Sequence, residues 1–518
     1  MEEGDFGRPA YECNDSPAVF ECIQAWLQRC GSEHESCRAR NTQHVPLPTR
    51  LLDVGGDDIR LIETTKDEQG IYVCLSHCWG GYQPIRTLQG NIERHKIAIP
   101  WDCLPKTFQD AVTIVRKIGL RYLWIDSLCI IQDSTSDWRA EAARMADIYS
   151  RAYFTIAALS AKNSKEGCFP THDHKYEAHY LTPVSFQGKP ASVFVRQDHG
   201  HPGGYFMSQN TVLGRGPTQP LLDRAWVFQE RNLSLRVVYF GKTEIFWECR
   251  TAGYCGCRPG IRRDPDRPEC IQTQSWRKWQ LMVDKYRSLS LTMAKDTFPA
   301  LSGLARAFQR ENKGLGRYLA GHWEAHLPRC LAWTTRESRA AEADWRAPSW
   351  SWASVASATY DLKEVEPACS VVAVECRQAG IDPYGELEVV SSSCWLELSG
   401  RLFPGTLPYH DDPYGYWNID MRTTYGHGHF TGDLDFKSTV SPDAIPPGGS
   451  LELLCLHLGV SKATDSQKGD EDIFLALRQF PNSDEYERVG LVSFNQLHGK
   501  IFPDGQLYSQ KEVTVRIK

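Results

Sequence analysis

The sequence predicts an α/β fold, a parallel sheet flanked by helices, followed by a helical segment and a β-rich C-terminal module. Three observations predict it. The apolar runs Tyr72-Val73-Cys74-Leu75 and Tyr122-Leu123-Trp124-Ile125 are joined by a helical repeat, which reads as a βαβ unit. From Trp276 to Leu327 the apolar residues fall at helical spacing. Past about residue 360 the apolar period changes to two, as in strands. The expected boundaries are 1–60 for an N-terminal helical lead-in, 61–250 for the α/β domain, 251–358 for a helical region and 359–518 for a β-rich domain.

A chain of 518 residues is too long for one ordinary core. Its 41% hydrophobic and 24% charged content is that of a globular protein. The net charge of −6, from 58 basic and 64 acidic residues, gives no reason to expect nucleic-acid or membrane-surface binding. The amino terminus shows no basic and apolar leader pattern, and no apolar run reaches the roughly 18 residues of a membrane span. A cytoplasmic protein is therefore expected, with its 18 cysteines mostly reduced.

In the lead-in, Phe20, Ile23, Trp26 and Leu27 are spaced for an amphipathic helix that Ser16-Pro17 would start. Cys30, His34 and Cys37 follow, three soft ligands within eight residues. They lack paired Cys-x-x-Cys spacing and an obvious second half-site, so packing is the plainer account and no metal ligand is assigned. Ile59 to Ile62 reads as a short strand. The Tyr72 run then breaks into Ser76, His77, Cys78, Trp79, Gly80 and Gly81. A hydroxyl, an imidazole, a thiol and an indole thus sit at a strand's carboxyl end, where open α/β sheets form ligand crevices.

Phe108, Ala111, Val112, Val115 and Ile118 predict a helix from about Lys106 to Ile118, stopped by Gly119. The second strand ends in Asp126-Ser127-Leu128-Cys129-Ile130-Ile131-Gln132. Because a βαβ unit makes its strands parallel, Asp126 is placed near Ser76 and His77. A long helix from about Trp138 to Arg151 carries Glu141 and Arg144 in its first turns, and Phe154 to Ala158 reads as a third strand. Residues 170 to 220 are loop-rich, with strands near Ser192 to Val195; His172, His174, His179, His199 and His201 lack metal-ligand spacing. Leu222 to Arg231 reads as a helix, and Val237–Phe240 with Glu244–Cys249 as a hairpin around Gly241-Lys242. Cys249, Cys255, Cys257 and Cys270 form a second cysteine group with a weak metal signal, and 262–270 reads as an exposed linker.

The ordered set of motifs resembles a known family. It runs Tyr72-x-x-Leu75-Ser76-x-x-Trp79-Gly80, Leu104-Pro105-x-Thr107-x-x-Asp110-Ala111, Tyr122 to Cys129 with Ile130-x-Gln132, Glu141 to Tyr149, Gly167-Cys168, and Arg224-Ala225-Trp226-x-x-Gln229-Glu230. This is similar to the HET domain of fungal heterokaryon-incompatibility proteins. His77-Cys78 departs from the pattern, where the family more often has an aromatic and an aliphatic residue. The resemblance implies a fungal source and a role in non-self recognition that triggers cell death. It also implies a remote likeness to TIR domains, hence a flavodoxin/TIR-like sheet, and some TIR domains cleave NAD with a helix-borne Glu. Trp138-x-x-Glu141 looks similar to the TIR Trp-Cys-x-x-Glu stretch.

Three functions are therefore expected as alternatives. The first is an intracellular HET effector with NAD(P) glycohydrolase activity. Glu141 would be its catalytic carboxylate, Ser76, Trp79, Gly80 and Asp126 would line its pocket, and Arg144 would meet phosphate. Gln132, Arg224 and Gln229 belong to the same edge as substrate-binding candidates. The second is a small-molecule enzyme of fungal secondary metabolism using His77 as acid or base, with Asp126, and Cys78 or Cys129 as nucleophile. The third is a non-catalytic module that binds a protein partner or self-associates. No cofactor is expected to be required, NAD entering only as a substrate.

Overall fold

The computed structural model describes residues 15–38, 44–81, 85–169, 179–186, 189–195, 219–242, 244–256, 258–261, 273–335, 345–355, 358–360, 364–389, 393–408, 417–423, 426–434, 449–462, 469–495 and 511–518. The chain divides into two compact units, Met1–Gln272 and Thr273–Lys518. His172, His174, His199, His201, Cys257, Cys270 and the 262–270 linker lie outside the described residues.

The first unit opens with α1 (Pro17–Glu33) and α2 (Glu35–Arg38). Proline at the first helical position suits α1, because that N–H has no helical partner anyway. The strands that follow are β1 (Val45–Pro46), β2 (Arg50–Asp53), β3 (Arg60–Glu63), β4 (Gln69–Gly70) and β5 (Tyr72–Ser76). Then come α3 (Ile92–Ile97), α4 (Lys106–Lys117), β6 (Tyr122–Trp124), α5 (Asp126–Cys129), α6 (Thr135–Arg151) and β7 (Thr155–Ala157). The hairpin β8 (His179–Phe186) and β9 (Lys189–Val195) precedes α7 (Ala225–Leu233). The last strands are β10 (Arg236–Phe240), β11 (Ile245–Cys249), β12 (Gly253–Cys255) and β13 (Arg258–Ile261).

Among the described residues, the main sheet has nine strands in the order β13-β12-β11-β10-β7-β5-β6-β2-β3. Its centre, β10-β7-β5-β6, is parallel, as the strand–helix–strand reading requires. The two flanks are antiparallel, so the whole is a mixed sheet. The β2 strand pairs with β6, so the sheet begins ahead of residue 61. The central strand β5 is buried along its whole length, consistent with helices on both faces of a parallel sheet. Phe108, Ala111, Val112 and Val115 form the buried stripe of α4, which gives way at Gly119, φ +82°. Ser134 caps α6 by accepting from the Asp137 N–H, which starts the helix three residues ahead of Trp138. Tyr149 of α6 then packs edge-on against the wholly buried Trp124 of β6, centroids 5.6 Å apart.

The second unit holds α8 (Ser275–Arg287) and α9 (Pro299–Glu311), as the helical spacing predicts. The stretch Tyr318–Leu327 departs from that prediction. It is a tight hairpin, β14 (Tyr318–Leu319) with β15 (His322–Trp323), followed by a short 3-10 turn. Ala320 and Gly321 both have positive φ, +46° and +94°, the backbone of a two-residue turn whose twist matches its strands. A Cβ on Gly321 would lie 2.4 Å from the Trp352 indole nitrogen, so glycine is needed there. Helical spacing misleads here because the buried Leu319, Trp323 and Leu327 recur at four residues.

The strands β16 (Trp333–Thr335), β17 (Ala358–Tyr360), β18 (Val365–Pro367) and β19 (Ser370–Cys376) lead into the β-rich part. It is built from β20 (Cys394–Pro408), β21 (Trp417–Thr423), β22 (Gly426–Leu434), β23 (Ser450–Ser461), β24 (Glu471–Gln479), β25 (Glu485–Asn495) and β26 (Glu512–Ile517). Pairing runs β20-β21-β22-β25-β24-β23 and returns from β23 to β20, which closes these six strands into a ring, with β18 and β19 paired outside it.

Candidate functional site

The carboxyl edge of the parallel strands collects the polar residues. Ser76 ends β5 and is buried together with the next two residues, His77 and Cys78. Ser76 Oγ donates to Glu230 Oε2 of α7 at 2.5 Å. Glu230 is buried, and burial pushes its pKa up to about 7; the Ser76 hydroxyl pulls the other way, and the negative charge of Asp126 pushes further upward. A carboxyl group so placed exchanges its proton near neutral pH, the condition for acid–base work.

A more exposed layer lies over this base. Trp79 Nε1 donates to Asp126 Oδ2 at 2.9 Å, and both side chains are partly exposed. Asp126 Oδ1 accepts from the Ser127 N–H at 2.7 Å, in the first turn of the short helix α5. Arg224, at the start of α7, donates through Nη1 to the His77 carbonyl at 2.5 Å. Gln132 Nε2 donates to the carbonyls of Asp126 and Ile130, both at 3.1 Å, and so fixes the turn after β6. Gln229 is wholly buried beside Glu230 on α7.

The imidazole and thiols behave as core groups. His77 Nδ1 lies 3.9 Å from Asp126 Oδ1, and the ring meets Phe108 edge-on at 5.0 Å. Burial pushes His77 down to about 4, outweighing the pull of Asp126, so the ring is neutral at physiological pH. Its Nε2 is buried and has no partner among the described residues. Burial pushes Cys78 up to about 11 and Cys129 up to about 12, which leaves neither as a thiolate nucleophile near neutral pH.

Glu141 is buried on α6, toward the start of β2. Its Oε1 accepts from Thr49 Oγ1 at 2.6 Å and from Arg144 Nη1 at 3.4 Å. Its Oε2 is buried without a partner among the described residues. Arg144, exposed, also donates to Thr49. Glu141 and Arg144 are therefore brought together with each other, and Ser76, His77, Asp126 and Trp79 with the α7 residues.

Other motif residues serve as fasteners. Gly80 has φ +69°, and a Cβ there would lie 2.4 Å from Asn163 Cβ in the turn after β7. Thr107 Oγ1 accepts from the Gly167 N–H, and Asp110 Oδ2 accepts from the Cys168 N–H at 2.8 Å. These bonds lock the turn after β7 onto α4. Glu230 and Thr49 were missed by sequence reasoning as site residues. The signal for Glu230 was present, since it stands in the motif that holds Arg224 and Gln229.

Outside this edge, Cys30, His34, Cys37 and Cys249 bring four ligand atoms within 4.8 Å of one another. Among the described residues no helix is long and apolar enough to cross a membrane.

No curated protein and no solved structure matches the chain. Residues 72–230 match the family model described as heterokaryon incompatibility protein (HET). The match starts on the first residue of β5 and ends on Glu230, which accepts the Ser76 hydrogen bond. From the strand that carries Ser76 to the helix that carries Glu230, the chain matches the HET family model.

Proposed function

We propose that this HET domain serves a role of the heterokaryon-incompatibility type by binding an NAD-like nucleotide at the carboxyl edge between β5 and β7 and cleaving its glycosidic bond. The observation that carries the reading is the buried hydrogen bond from Ser76 to a carboxyl group with pKa near 7. Two further features support it. The parallel strands run second, first, third, fourth (β6-β5-β7-β10), the order with which a flavodoxin-like sheet begins, and such sheets take ligands at the point where the order reverses. Glu230 also follows Trp226 by four residues, the spacing of the TIR Trp-Cys-x-x-Glu stretch, whereas Trp138 to Glu141 is one residue shorter.

In this reading Glu230 takes the carboxylate role, and Glu141 with Thr49 and Arg144 holds the start of β2. Hydrolysis breaks the bond from ribose C1′ to the pyridinium nitrogen. The bond's electrons pass to that nitrogen, and nicotinamide leaves neutral. Water adds to C1′, and the proton it loses goes to Glu230. The carboxylate also steadies the oxocarbenium-like centre. Arg224 and Trp79 are placed on the rim to meet phosphate and a base or sugar face.

The test is incubation of the full chain with NAD, with nicotinamide measured over time. Release that falls about 100-fold or more in Glu230→Gln and persists in Glu141→Gln supports the assignment. Absence of nicotinamide at high protein concentration, or equal release from wild type and Glu230→Gln, overturns it.

A further inference from the structure

We propose that Cys30, His34, Cys37 and Cys249 form a structural zinc site that ties the lead-in helices to the HET domain's sheet. Cys30 lies in the last turn of α1, His34 joins α1 to α2, Cys37 lies in α2, and Cys249 is the last residue of β11, 215 positions from His34. All four are buried, and their ligand atoms lie within 4.8 Å of one another. Sulfurs held about 2.3 Å from a tetrahedral zinc lie roughly 3.8 Å apart, so the cluster is nearly closed to that size already. Three cysteines and one histidine are a structural zinc donor set, and the missing half-site of the Cys30–Cys37 stretch is supplied by β11.

The surroundings fit a metal better than packed thiols. His34 Nε2 lies 3.1 Å from Tyr254 Oη, and the two rings stack at 6.2 Å. An Nε2–H donating to that oxygen leaves the Nδ1 lone pair facing the sulfurs, with Nδ1 3.3 Å from Cys249 Sγ. N–H groups also point at sulfur. Arg236 Nε donates to Cys30 Sγ at 3.2 Å, and the Ala252 N–H donates to Cys249 Sγ at 3.3 Å. Arg236 is wholly buried. Zinc with three thiolates and a neutral imidazole carries one net negative charge, which the Arg236 guanidinium balances.

The site would brace the α7 helix as well as the lead-in. Glu248, adjacent to Cys249, holds Arg231 of α7 through two hydrogen bonds of 2.9 Å, and Arg231 is adjacent to Glu230. Binding releases the three thiol protons, so metal affinity should weaken in acid.

The test is metal analysis of the full chain purified without chelator, with X-ray absorption at the zinc edge. One zinc per chain with three sulfurs at about 2.3 Å and one nitrogen at about 2.0 Å supports the site. Cys249→Ser and His34→Ala should hold zinc against a chelator at least about tenfold more weakly. His34→Cys should keep zinc, and its cobalt-substituted form should show a four-sulfur visible spectrum, which separates a lost ligand from a lost fold. A chain that binds neither zinc nor cobalt, a zinc shell without three sulfurs, a disulfide among the three cysteines by intact mass, or full zinc retention in Cys249→Ser each overturns the proposal.

Discussion

Ser76 Oγ donates to Glu230 Oε2 at 2.5 Å, joining residues 154 positions apart into one buried pair. Burial sets the folded pKa of Glu230 at about 7, against an ordinary 4.5. A carboxyl group raised in this way binds its proton more tightly in the folded chain. Its contribution favours folding below about pH 4.5 and is lost as the pH rises through about 7. The shift corresponds to about 3 kcal/mol at most. Glu230→Gln keeps an acceptor for Ser76 and cannot ionise. Urea denaturation of this variant should therefore lose less stability than wild type between about pH 5 and pH 8. Equal losses in the two proteins would remove Glu230 as the titrating group.

His77 titrates in the opposite sense. Its folded pKa of about 4 lies below the ordinary 6.5, so the unfolded chain gains a proton that the folded chain refuses. Stability is present above about pH 6.5 and is lost as the pH falls toward 4. His77→Phe keeps an aromatic ring against Phe108 and removes the buried Nε2. At pH 5 it should be about 2 kcal/mol more stable than wild type, read from denaturant midpoints. A variant that weakens in acid as steeply as wild type would refute the assignment.

Local pattern made part of this site legible. The Tyr72 and Tyr122 runs gave two strands, the repeat between them gave α4, and parallel pairing placed Asp126 near Ser76 and His77. The partners of Glu230, Thr49 and Cys249 were illegible for a common reason. Each meets its partner through sheet order across a long separation: β7 and α7 carry Glu230 back to β5, β2 brings Thr49 to Glu141, and β11 brings Cys249 to His34. The spacing of apolar residues reports which face of an element is buried. It does not report which elements become neighbours.

Gly80 offers a test of the turn that shapes the rim. Its φ of +69° and the 2.4 Å approach to Asn163 Cβ, with the Lys162 carbonyl at 2.9 Å, leave no room for a methyl group on either ground. Gly80→Ala should cost about 2 kcal/mol or more, since left-handed backbone strain of roughly 1–2 kcal/mol adds to the contact. Gly81→Ala is the control, because a Cβ there meets nothing within 4 Å. Similar denaturation midpoints for the two variants would show that the turn yields freely.

Arg231 and Glu248 tie α7 to β11 by a bidentate pair at 2.9 Å, with Tyr239 Oη donating to Glu248 Oε2 at 2.7 Å. Both partners are buried, so removing one leaves a charge in a low-dielectric site. Arg231→Met should cost about 3–5 kcal/mol, and Glu248→Gln a similar amount. The double variant leaves no full charge behind, so its cost should fall short of the sum by at least about 1.5 kcal/mol. Urea unfolding of the four proteins at one pH measures this coupling. Additive costs would mean that the two charges are stabilised separately. The pair would then not be what holds α7, and with it Glu230, at the end of β5.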